Sequence, residues 1–163
     1  MPTRDQHLAH DQRFLQQAID LAVANAAGGG GPFGALVVHD GEVIGEGVNR
    51  VTAHADPTAH AEMVAIRAAC ARLGSFQLTG CTIYASCEPC PMCLGAIYWA
   101  RPQRLVYAAD RTRAAAAGFD DALIYDEIPR PPAERRLPTA HVPMGTETAP
   151  FEAWRANTDR REY

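Results

Sequence analysis

Residues 81–108 read CTIYASCEPCPMCLGAIYWARPQRLVYA. The apolar run 81–85 predicts a short strand. Pro91 stands where a proline suits the first turn of a helix, and a helix is expected over 91–99. Residues 105–108 are apolar again and predict another strand. The segment is a β-α-β unit, and its loop and helix start carry Pro89, Cys90 and Cys93.

Upstream, 60–73 reads as a helix with Met63, Ile66, Cys70 and Leu73 on one face. Before it, 35–39 and 42–46 flank Asp40-Gly41, a strong signal for a two-residue hairpin. Leu8, Leu15, Ala18, Ile19 and Ala22 recur at helical spacing in 5–27, and Gly28-Gly29-Gly30-Gly31-Pro32 ends that helix. Downstream, 114–117 predicts a helical turn and the proline-rich 128–138 a surface connection. A last strand is expected at 141–144 and a terminal helix at 151–163. A hairpin followed by β-α-β units predicts an α/β fold, with a mixed sheet between helices. No repeat or internal boundary interrupts 1–163, which reads as a single domain.

Composition removes several function classes. All 15 basic residues are arginine, so lysine nucleophiles, Schiff-base lysines and the P-loop lysine are excluded. The net charge of −4 disfavours a nucleic-acid or anionic-membrane partner. No apolar run approaches a membrane span, and no signal-like core opens the chain, so a cytoplasmic location is expected. Five cysteines are better read there for metal or catalysis than for disulfides.

Three side chains have the right chemistry for zinc: His60, Cys90 and Cys93. Three protein ligands leave a fourth position open, as catalytic rather than structural zinc requires. Cys90 and Cys93 lie three apart at a helix start, so both sulfurs can face one way, and the helix dipole favours thiolates there. Glu62 is two residues beyond His60 and placed to act as an acid/base rather than a ligand. His-x-Glu followed by Pro-Cys-x-x-Cys is the combination found in zinc deaminases. Cys70, Cys81 and Cys87 read as structural. His7, His10, His39, His54 and His141 read as surface or satisfied residues, with His54 nearest the site in sequence.

On these motifs the chain resembles the cytidine-deaminase-like zinc nucleobase deaminases, and within them the bacterial guanine deaminase branch. The likeness is carried by residues 30–35, 56–62, 86–102, 117–121 and 151–155 and by the ending Arg161-Glu162-Tyr163. It implies a three-layer α/β/α fold with a five-stranded sheet, one catalytic Zn²⁺ and a homodimer. It implies that 139–163 swaps between subunits; without it, the proline-rich stretch is equally a plain surface loop. It implies that Phe33 lines a base pocket and that Asn49 and the Ala61 backbone N–H bind the base. Asp121 would serve as second carboxylate, both binding the base and relaying a proton, with Asp120 a lesser candidate. Tyr163 would help close the site, and Trp99 would pack behind the zinc helix. The implied reaction converts guanine, a small purine base, to xanthine and ammonia, with zinc-bound hydroxide attacking C2 and Glu62 shuttling protons.

Other readings share the zinc motifs: a tRNA adenosine deaminase, a cytosine or cytidine deaminase, an amino-triazine deaminase, or a non-enzymatic zinc module. An RNA enzyme should show a basic path. The run 152–163 instead balances Arg155, Arg160 and Arg161 against Glu152, Asp159 and Glu162.

Overall fold

A computed structural model describes residues 4–163, with side chains from Leu8 onward. The chain divides after Asp121 into two compact units. The first holds helix α1 (Arg4–Ala27), strands β1 (Gly34–His39) and β2 (Glu42–Val48), and helices α2 (Val51–His54) and α3 (Ala61–Leu73). It continues with β3 (Cys81–Cys87), α4 (Pro91–Ala100), β4 (Arg104–Ala109) and α5 (Arg111–Ala116).

The four strands form one mixed sheet in the order β2-β1-β3-β4. β1 runs antiparallel to β2 and β3, and β3 runs parallel to β4. The hairpin turns at Asp40 and Gly41 with φ of 49° and 81°, the left-handed pair that a type I′ turn requires. β1 is apolar on both faces because both faces are covered. Leu36 and Val38 join Tyr84 against Phe14 and Ala18 of α1. Ala35 and Val37 join Ile83 against α3 and α4. That alternation produces the three layers.

The expected fifth strand is not formed, and four strands make up the sheet among the described residues. Residues 141–144 are exposed and unpaired in any ladder. Pro143 lies inside that run and has no N–H to donate. The terminal helix is shorter than expected: α7 spans Ala149–Ala156. Beyond it the Asn157 side chain accepts from the Asp159 N–H at 3.0 Å, a local turn that competes with helix. Two short helices were not anticipated, α2 and α6 (Ala122–Glu127).

Two helix faces also differ from expectation. α1 buries the i, i+4 row Phe14, Ala18 and Ala22, leaving Leu8 56% exposed. α3 buries Ala61, Glu62, Ala65, Ile66 and Ala69, while Leu73 is 40% exposed. The small face of α3 is used because β2 approaches it with glycines. A Cβ on Gly45 would lie 2.8 Å from the Ala69 backbone nitrogen, and one on Gly47 2.6 Å from that of Ala65. Larger side chains could not enter that gap.

A polar network pins α1 across the sheet. Tyr84 Oη donates to Asp11 Oδ1 at 2.8 Å, and Arg104 donates to Asp11 Oδ2 at 2.8 Å. Burial opposes ionisation of Asp11, but the Arg104 and Tyr84 hydrogen bonds outweigh it and hold the carboxyl below its ordinary range. A lowered carboxylate pKa stabilises the fold above the unfolded pKa and is lost as pH falls through the folded one. Asp11→Asn is therefore expected to cost about 1–2 kcal/mol at pH 7. Urea denaturation should show the gap to wild type closing as pH falls below the ordinary aspartate range.

The second unit, Ala122–Tyr163, contains α6, a 3₁₀ turn (Pro132–Glu134) and α7. Within it no residue is buried. Leu137, Val142, Met144, Phe151 and Tyr163 are each 64–74% exposed. No helix among the described residues is long and apolar enough to cross a membrane.

Candidate metal and base site

α3 and α4 bring their N-terminal ends together. His60 is the N-cap of α3 and Cys90 the N-cap of α4, both with extended backbone, and Cys93 sits in the first turn of α4. The three donor atoms lie within 4.8 Å of one another. His60 Nδ1 is 3.5 Å from Cys90 Sγ and 3.5 Å from Cys93 Sγ. A tetrahedral zinc, with Zn–S of about 2.3 Å and Zn–N of about 2.0–2.1 Å, sets each N–S edge near 3.5 Å. The cluster fits that ion by distance and by ligand type.

The charge state fits as well. The neighbouring Cys93 side chain, against the cost of burial and with help from His60, brings the Cys90 pKa down to about 4. Cys93 is pushed far up, by the Cys90 side chain first and by burial. His60 is raised, chiefly by its hydrogen bond with Cys90. A lowered Cys90 pKa favours the thiolate, the form that binds a divalent cation.

Glu62 occupies the first turn of α3 and is 8% exposed. Its Oε2 lies 3.5 Å from Cys93 Sγ, and burial raises its pKa. It borders the donor cluster without belonging to it. Asp121 is half-buried; burial first, and the Cys90 thiolate among the nearby charges, raise its carboxyl. Asp120 is exposed.

Phe33 and Asn49, the loop candidates for a base pocket, lie just before β1 and just after β2. Phe33 is half-buried against the core, and its ring meets Phe119 edge-on at 4.9 Å. Phe119 was not singled out from sequence, although it lies in the 117–121 run. Asn49 Oδ1 accepts from the Val51 N–H at 3.2 Å, and the Asn49 N–H donates to the Phe33 carbonyl at 3.2 Å. Ala61 is the first residue of α3 and 1% exposed, so its N–H belongs to a helix turn without intrahelical partners. Ser86 was also missed: its buried hydroxyl accepts from the Gly34 N–H at 3.0 Å and fixes the start of β1. Tyr163 belongs to the second unit, where its ring meets Trp154 edge-on at 6.3 Å.

Trp99 does not pack behind the zinc helix. It is 65% exposed, because α4 buries the Cys93, Ile97 and Ala100 side and residue 99 points away from it. Cys87 is buried with its sulfur 3.8 Å from the Asp110 carbonyl, and burial keeps it a thiol, as it does Cys70 and Cys81. His54 is exposed on α2. The side chain of His7 lies outside the described residues.

Residues 8–109 match the cytidine and deoxycytidylate deaminase zinc-binding region. The chain is 55% identical over 153 residues to guanine deaminase of Bacillus subtilis, covering 93% of this chain and 98% of that protein. It superposes on the X-ray structure of guanine deaminase from Bacillus subtilis with a TM-score of 0.92, at 54% identity, over 93% and 98% of the two chains. The tRNA-specific adenosine deaminase of Haemophilus influenzae is 39% identical over 117 residues, 68% of each protein. The agreement with one branch runs nearly end to end, while the tRNA enzyme shares about two-thirds of the chain. The chain therefore belongs to the zinc-binding cytidine and deoxycytidylate deaminases and, among them, to the guanine deaminase family.

Proposed function

We propose that this protein hydrolyses guanine to xanthine and ammonia, in cytoplasmic breakdown or salvage of purine bases. The observation that carries the reading is Glu62, buried beside a three-donor cluster and outside it. His60, Cys90 and Cys93 would hold a zinc ion, which when bound would supply the Lewis acidity that makes water a nucleophile at neutral pH. Glu62 accepts one proton of the attacking water as its oxygen bonds to C2, and returns that proton to ring N3. The second water proton passes through Glu62 or Asp121 to the amino nitrogen. The C2–N bond then breaks and ammonia leaves, with the carbonyl of xanthine closing at C2.

Recognition falls to the loops around this centre. Because the Asn49 amide oxygen is committed to Val51, its Nδ2 is the edge that donates to the base. The Ala61 N–H supplies a second donor, Asp121 an acceptor and Phe33 an apolar wall. Selectivity follows because a mismatched base leaves buried donors unpaired. Purified, zinc-loaded protein should release ammonia from guanine in clear preference to adenine, cytosine, cytidine and an amino-triazine. No release from guanine, with another substrate active, would overturn the pocket assignment and leave the zinc chemistry standing.

We also propose a homodimer in which 139–163 crosses to the partner and brings Tyr163 to its site. Val142, Met144, Phe151 and Tyr163 are exposed, and a segment so apolar needs a surface to cover it. Light scattering should give twice the chain mass. Mixing and refolding a Glu62→Ala chain with a chain truncated after residue 138 should restore up to about a quarter of wild-type activity, since each lacks what the other supplies. Two inactive parents that stay inactive together would exclude the crossing.

A further inference from the structure

The geometry points to Asn25 as the positioning residue of the base pocket, an inference that rests on the reading of Asn49 given above. Asn25 stands in the last turn of α1, on a segment that supplies none of the pocket residues. Its Nδ2 donates to the Gly31 carbonyl at 2.8 Å and to the Asn49 carbonyl at 2.9 Å. Both hydrogens of one amide are thus spent tying together two chain segments that are 18 residues apart. One segment leads into Phe33; the other carries the amide proposed to read the base.

The glycine run is shaped around this clamp. A Cβ on Gly30 would sit 2.7 Å from Asn25 Cγ, and a Cβ on Gly31 2.8 Å from Asn49 Cγ. Each of these glycines therefore makes room for one asparagine amide. Gly30 closes the ring by donating its N–H to the Asn25 carbonyl at 2.9 Å. The run that ends α1 is also a cradle for two amides. Asn25 is aimed at carbonyls, not at the pocket, so it acts on the base through Asn49.

The test compares Asn25→Asp, Asn49→Ala and the double variant by steady-state kinetics, with zinc content measured for each. A carboxylate of the same size cannot donate, and it faces two carbonyl oxygens. Asn25→Asp should raise KM for guanine about tenfold, with kcat changed less than about threefold and zinc still one per chain. In the Asn49→Ala background the same change should alter KM less than about twofold, because its route to the base is gone. Should Asn25→Asp fail to fold, Asn25→Ser, small and uncharged, carries the same comparison. An unchanged KM, or an effect that multiplies in full on top of Asn49→Ala, would overturn the assignment. Failure of the guanine reading shows separately as wild-type protein inactive on guanine. The cycle then runs on whichever of adenine or cytosine is turned over, and turnover of none overturns both.

Discussion

Glu62→Ala is expected to bind zinc as wild type does and to deaminate guanine roughly 10³–10⁴-fold more slowly. The carboxylate lies outside the three donors, so its removal leaves His60, Cys90 and Cys93 in place. It is also buried at the start of α3, so no surface group can substitute for it. Metal analysis beside single-turnover kinetics separates the two functions. A metal-loaded Glu62→Ala protein with near-normal turnover would refute the proton-shuttle role. Loss of zinc with loss of activity would make Glu62 a ligand or a support of one.

Gly47→Ala is expected to do the reverse, harming the metal site from a distance. The added methyl would lie 2.6 Å from the Ala65 backbone nitrogen, and backbone cannot swing aside as a side-chain tip can. Overpacking of this kind costs about 1–3 kcal/mol where the core can relax, and more where it cannot. Relaxation here means sliding α3 off β2. Because His60 caps α3 and Glu62 lies in its first turn, the slide carries both away from Cys90 and Cys93. The variant should melt several degrees below wild type and lose zinc to a chelator at a lower concentration. A protein that melts lower yet holds zinc as tightly would show that the strain is absorbed by β2.

Local chemistry made much of the molecule legible. Asp40-Gly41 can hold two left-handed residues in succession, so the hairpin followed, although β1 and β2 shift register at a bulge between Val37 and Val38. The zinc cluster was readable because thiolate, imidazole and spacing each restrict the metal independently. Misreadings arose where a neighbour decided the outcome. The buried face of α3 is set by glycines on β2, and hydrophobicity within 60–73 alone points to Met63 and Leu73 instead. The strand expected at 141–144 was read from apolar content without weighing Pro143. The resemblance placed Trp99 inside, whereas α4 buries its Cys93, Ile97 and Ala100 side. Asn25 was invisible because its partners are backbone carbonyls, whose positions no residue type announces.

The meeting of two helix ends at the metal divides labour along the chain. His60, Glu62, Cys90 and Cys93 ride on rigid elements inside the segment shared with the wider deaminase family, which ends at residue 109. Asp121 and Tyr163 come after that boundary, and Asn49 and Phe33 sit at strand ends. On the roles proposed above, the metal chemistry and most base contacts lie on different parts of the chain, while Ala61 and Asp121 join the two. A redesign for a different heterocycle should graft new residues at 33, 49 and 119 and exchange the tail, while the helix pair and Asp121 stay untouched. Substitutions at His60, Glu62, Cys90 or Cys93 should instead change the reactivity common to all substrates.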